Sequence, residues 1–201
     1  ALKLVLILGT PATVGLMMLS APLVVTIFRH GAFDPHSVHM ASYSLIAYSL
    51  GLQGFILVKV LSPAFFSRQD MKTPMRFGLI SIVISIIASF LLVWPFGHIG
   101  LALATSLAAV INALLLFLPL RRAGIYVPAT STRWRQLFVH TLLANIVMGV
   151  ALLLLTPPLS WWFDNSILWR VGALAALVCF AMMLYGMIFA LLGMRLHHLR
   201  N

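Results

Sequence analysis

The sequence contains no glutamate, and its only acids are Asp34, Asp70 and Asp164. All three fall in polar stretches between apolar runs, so no pair of carboxylates is available for acid–base chemistry inside such a run. The one cysteine, Cys179, excludes an internal disulfide framework; lying in a late apolar run, it reads as a small packing residue. Charged residues make up only 8% of the chain against 62% hydrophobic, and the mean hydropathy is +1.08. No soluble globular domain needs that balance, so the class is polytopic α-helical membrane protein. A β-barrel would show short alternating segments instead of long unbroken apolar runs. No GxxxxGK[ST], HExxH or CxxC stretch and no Ser-His-Asp arrangement is readable, so neither an enzyme nor a cofactor is expected.

What the chain does have is six apolar runs, at about residues 4–28, 41–66, 77–95, 101–120, 136–156 and 168–192. Each is long enough to cross a bilayer as a helix. The expected fold is therefore an all-α bundle of six spans. Pro11 and Pro22 interrupt the first run and should kink it, since proline removes a backbone donor and clashes one turn back. Ser81, Ser85 and Ser89 recur every four residues, which puts them on one packing face. Asn112, in the fourth run, is expected to bond to another helix. Trp94 and the patch Trp161-Trp162-Phe163 read as interfacial aromatics. His30, His36 and His39 share a loop with Arg29 and Asp34, but no carboxylate or thiol cluster joins them, so no metal is expected.

The formal net charge of +10 belongs to residues clustered between the runs. Nothing interleaves basic and aromatic residues as a nucleic-acid surface would, so membrane lipids are the expected partners and nucleic acid is not. One side of the membrane would hold Lys3, Arg68, Lys72, Arg76, Arg121, Arg122, Arg133, Arg135, Arg195 and Arg200; the other would hold only Arg29 and Arg170. Ten cations against two make the first side cytoplasmic, with both ends of the chain inside. The chain opens at Ala1 within an apolar run, with no charged region and cleavage site to mark a signal peptide. A piece of a longer chain is the simpler expectation.

The second run carries the chemistry. Ser44, Tyr48, Gly51, Phe55, Lys59 and Ser62 follow at helical spacing, a small and polar stripe with an ammonium near its end. Such a stripe is a poor surface for hydrocarbon and suits a water-filled cavity or an anionic solute. Lys59 lies about 13 Å along the helix from Arg68, so snorkelling towards the interface is the plainer alternative. The run ends in Ser67-Arg68-Gln69-Asp70-Met71-Lys72-Thr73-Pro74, which on composition alone is a positively charged cytoplasmic turn.

Three segments carry a resemblance: Leu57 to Arg76 (LVKVLSPAFFSRQDMKTPMR), Ala47 to Leu52 (AYSLGL) and Phe28 to Asp34 (FRHGAFD). Together they resemble, in order and spacing, the MurJ/MviN lipid II flippase family of the multidrug/oligosaccharidyl-lipid/polysaccharide exporter superfamily. The resemblance implies the last six of fourteen helices: residues 1–122 as four helices of the second lobe, 123–135 as a basic cytoplasmic linker, and 136–201 as two added helices with a basic tail. It implies a multi-pass protein of the bacterial inner membrane that moves the undecaprenyl-pyrophosphate-linked precursor lipid II by alternating access, in partnership with the preceding helices. The substrate cavity would take Lys59, Phe55, Gly51, Tyr48 and Ser62, the cytoplasmic gate Arg68, Gln69, Asp70, Thr73 and Pro74, and a periplasmic loop Arg29, Gly31, Phe33 and Asp34. A related exporter of another polyprenyl-linked saccharide, a drug antiporter and a non-transporting membrane scaffold remain as alternatives.

Overall fold

The structure, a computed structural model, describes residues 2–28, 35–124 and 131–191. It contains α1 (Leu2–Met18), α2 (Ser20–Phe28), α3 (Pro35–Phe66), α4 (Lys72–Phe96), α5 (His98–Arg122), α6 (Ser131–Leu155), α7 (Leu159–Asp164) and α8 (Ile167–Leu191). Helices α3, α4, α5, α6 and α8 are each long and apolar enough to cross a membrane. The pair α1–α2 makes a sixth span if its 67° bend is taken as a break within one crossing. The all-α, multi-span expectation is met.

The bend has a local cause. Pro22 has no N–H to offer the carbonyl of Met18, and its ring crowds that carbonyl, so the helix breaks at Leu19. On either side the ladder is intact, Leu19 N–H donating to Gly15 O and Leu23 N–H to Leu19 O, both at 2.9 Å. Pro11 leaves α1 continuous. Two helices start earlier than hydropathy suggests. α3 begins at Pro35, where a missing N–H costs nothing in a first turn, and α6 begins with the polar turn at Ser131.

Contacts divide the chain into two compact units, residues 1–9 with 47–135 and residues 10–46 with 136–201. In the first, α4 and α5 form a hairpin across Gly97, whose φ of 55° is open to glycine at little cost. Gly100 lies directly under the Leu92 carbonyl, leaving no room for a side chain. Ser81 Oγ donates to Ala108 O at 3.0 Å across this hairpin, as its packing face requires. Leu61, Phe65, Leu116 and Leu120 form a buried core where α3 meets α5. Asn112, expected to bond across helices, has its Oδ1 buried with no partner among the described residues.

In the second unit, α2 packs on α7 and α8. Its core is Val24, Val25, Val38 and Trp162. Trp162 is 0% exposed, donates from its indole N–H to Pro157 O at 3.3 Å, and meets Trp161 edge to face at 5.2 Å. The interfacial reading is thus wrong for Trp162: the short helix α7 folds it inward as a core residue. Trp94 is 88% exposed. Cys179 is exposed and does not pack as a core residue, because it falls on the outer side of α8. Asn145, in α6, donates to Thr10 Oγ1 of α1 at 3.0 Å and back to Thr141 O at 2.7 Å.

Candidate functional site

Helix α3 has two distinct faces. Ala47, Gly51, Gly54, Leu61 and Phe65 are buried and recur at steps of four, three, seven and four. The glycines let α5 come close. A Cβ on Gly51 would sit 2.6 Å from Ser106 Cα, and one on Gly54 would sit 2.7 Å from the backbone nitrogen of Val110. The contact is locked by Ser106 Oγ, which donates to Ala47 O at 2.6 Å. Gly51, grouped with the cavity stripe by spacing alone, therefore serves the α3–α5 seam.

Turned away from the seam are Tyr48 (47% exposed), Phe55 (41% exposed) and the exposed Lys59. They follow at steps of seven and four, so they form one open face. Ser62 is half-buried, and its hydroxyl donates to Val58 O at 2.7 Å within the same helix. Ser44 does likewise, to Met40 O at 3.1 Å. The structure thus brings Tyr48, Phe55 and Lys59 together. An ammonium costs about 3 kcal/mol at the centre of a span; Lys59 stands seven residues before the end of α3, where snorkelling lowers that cost, and its open face suits water, an anion or a partner surface.

The α3–α4 turn is tightly built. The N–H groups of Arg68 and Asp70 both donate to Phe65 O, at 3.0 and 3.1 Å, and Gln69 N–H donates to Phe66 O at 3.0 Å. Gln69 adopts φ 58°, which reverses the chain. Asp70 Oδ1 then accepts the Thr73 N–H at 3.0 Å, which places a carboxylate on the orphan donors of the α4 N-terminus. The Thr73 hydroxyl first, then its N–H, the Lys72 N–H and the Arg76 charge hold this carboxyl below the usual carboxylate range against a smaller opposing effect of burial. Arg68 and Gln69 stay exposed; Thr73 and Pro74 are half-buried, with Pro74 in the first turn of α4. Asp70 thus caps its own following helix, and Arg68 points outward. Arg29, Gly31, Phe33 and Asp34, together with the basic residues of the tail, lie outside the described residues.

Sequence reasoning missed one charged residue of note. Arg170, counted only as a cation of the non-cytoplasmic side, is buried in the first turn of α8 with Nη2 donating to Phe163 O at 3.3 Å. Its sequence signal was weak, a lone arginine behind Ile167-Leu168-Trp169.

Taken together, the apolar spans and the exposed cation on one of them define a multi-pass α-helical membrane protein with a polar face on a spanning helix. The family described as lipid II flippase MurJ matches residues 1–173. A Vibrio cholerae protein named "Probable lipid II flippase MurJ" is 41% identical over 200 residues, covering 99% of this chain and 38% of that protein. The Burkholderia cenocepacia "Lipid II flippase MurJ" is 34% identical over 200 residues, covering 94% of this chain and 37% of that protein. Among solved structures, "Lipid II flippase MurJ, inward closed conformation" aligns with a TM-score of 0.73 at 25% identity, over 94% of this chain and 38% of that one. The chain belongs to the lipid II flippase MurJ family. It spans a little over a third of the length of these relatives.

Proposed function

We propose that this chain is the C-terminal part of a lipid II flippase of the bacterial inner membrane, with both its ends in the cytoplasm. Residues 1–122 would belong to the second transport lobe, 123–135 to a basic cytoplasmic linker, and 136–201 to the added helix pair bordering a groove for the prenyl tail. The supporting observation is the open face of α3, where Lys59 stands beside Phe55 and Tyr48 on the side of the helix that does not pack on α5.

The chemistry follows from the substrate class. A prenyl-pyrophosphate glycolipid has a bulky polar head, a charged pyrophosphate and a long apolar tail. Moving it requires a cation that the pyrophosphate meets in a water-accessible cavity, where low dielectric strengthens the attraction. Lys59 supplies that cation in this chain, and Phe55 and Tyr48 flank it with apolar surface. The ammonium acts by binding alone; no bond is made or broken. The Arg68–Pro74 turn, fixed by the Asp70 cap, would sit at the cytoplasmic gate, with Arg68 and Gln69 free to meet a neighbouring helix end as the lobes rock.

The test is Lys59→Met in the full-length flippase, which removes the charge and keeps the stem. The expected outcome is loss of growth support and accumulation of lipid II on the inner leaflet, with normal protein levels in the membrane. Full flippase activity in this variant would remove Lys59 from the substrate path.

A further inference from the structure

Pro22 opens the first span at Leu19, but a proline does not choose the angle at which the next segment leaves. Pro11 stands in the same span, removes a donor of the same kind, and leaves α1 continuous. The difference lies outside the helix. Ser20, Pro22, Val24, Val25 and Thr26 of α2 are buried. Val24 and Val25 share a core with Trp162 of α7, and Ala173, Leu174 and Leu177 of α8 pack against that core. From Leu19 to Ile27 the outer arm is about 12 Å long. Straightening it from the observed 67° would swing its tip by roughly 13 Å, away from α7 and α8.

Helix α7 is built to hold this position. Six residues are too few to keep a helix on their own, and hydrogen bonds close both of its ends. At the start, the Trp162 indole N–H donates to Pro157 O at 3.3 Å and the Trp161 N–H to Pro158 O at 3.0 Å. At the finish, Trp161 O accepts from the Asn165 N–H at 3.3 Å and from Asn165 Nδ2 at 2.9 Å, while Phe163 O accepts from Arg170 Nη2 at 3.3 Å.

Arg170 is costly by every local measure. It is buried in an apolar span, and it sits in the first turn of α8, where the helix's own dipole opposes a cation. What it meets is the last turn of α7, whose orphan carbonyls carry the opposite partial charge. A smaller apolar residue would fill the space without closing that end.

We propose that Arg170 and α7 form a strap that sets the angle of α2 against α1. Pro22 gives the first span its freedom to bend, and the strap fixes how far. On the flippase reading given above, Arg170 is a positioning residue for transport, because it holds the outer half of a spanning helix in place without touching substrate.

The angle can be read by double electron–electron resonance in a full-length protein free of other reactive cysteines. Spin labels go on Ala12→Cys in α1 and Ile27→Cys in α2, both exposed positions. Full straightening from 67° lengthens this distance by about 4 Å. The parent should show the short distance alone, and Arg170→Met should add a population at the longer one. Trp162→Phe keeps the ring, removes the indole N–H, and should shift the distribution the same way; it decides alone if Arg170→Met does not fold. A control pair on α8, Val171→Cys with Met182→Cys, should hold its distance in every variant. The parent distribution retained in these variants, or a control pair that moves with them, overturns the strap. Arg170→Met should also lose transport at normal protein levels, and a lengthened distance with full transport overturns the positioning role. Lys59→Met should keep the short distance whatever its activity, so a failure of the flippase reading shows in transport and a failure of the strap in distance.

Discussion

Gly51→Ala puts the α3–α5 seam to a direct test. The added Cβ would lie 2.6 Å from both Cα and Oγ of Ser106 and 2.7 Å from its Cβ. An ordinary contact needs about 3.4 Å or more, so the helices must part by something close to 1 Å. Overpacking of this kind costs about 1–3 kcal/mol. Parting also weakens the 2.6 Å bond from Ser106 Oγ to Ala47 O, and such interhelical bonds average about 0.6 kcal/mol in a membrane. Against this, alanine in place of glycine favours a helix by up to about 1 kcal/mol. The balance is a loss of roughly 1–3 kcal/mol. Equilibrium unfolding of the full-length protein in mild detergent measures it. Ser106→Gly removes two of the three clashing atoms, so Gly51→Ala and Ser106→Gly combined should lose less than the sum of the two, with a coupling of at least about 0.5 kcal/mol. Additive losses, or a Gly51→Ala protein as stable as the parent but unable to transport, would refute the seam and return Gly51 to the cavity.

Two further outcomes follow from the same geometry. Trp162→Ala empties a fully buried site among Val24, Val25 and Val38 and should cost about 3–5 kcal/mol, seen as a lower unfolding midpoint; a surface-like loss under about 0.5 kcal/mol would restore the interfacial reading. Asp70 has a lowered carboxyl pKa in the fold, so its contribution is fully present above the ordinary carboxylate range and fades as pH falls through the lowered value. The stability difference between the parent and Asp70→Asn should therefore stay level from neutral pH to about 5 and change only in stronger acid; a difference independent of pH throughout would contradict the charged cap.

Hydropathy alone located the spans, because each must offer lipid about twenty apolar residues and these helices do so nearly all round. It could not say which side of a helix meets which neighbour. The α3 stripe joined Gly51 to Lys59 by spacing, yet Gly51 packs on Ser106 and Lys59 does not, since one wide helical face can straddle a seam and an open surface. Trp162 and Arg170 were misplaced for a related reason. The hydropathy of Ser160–Leu168 resembles an interfacial loop, whereas the six-residue helix α7 turns Trp162 inward and brings Phe163 O to the Arg170 guanidinium. The prolines were half legible: a proline one turn past Met18 predicts the break at Leu19, but nothing local distinguishes Pro11, which α1 absorbs. Of the candidate site, helical spacing did group Tyr48, Phe55 and Lys59, which share one exposed face. The capping role of Asp70 was not readable, because it depends on Gln69 turning the chain at φ 58°.

The account stands on Lys59 facing an aqueous path. Lys59→Cys in a full-length protein free of other reactive cysteines, treated in intact cells with a charged membrane-impermeant thiol reagent, reads that exposure directly. The account predicts modification, slowed when lipid II accumulates. A cysteine at this position that stays unmodified from both sides of the membrane, with the protein folded and active, would contradict it.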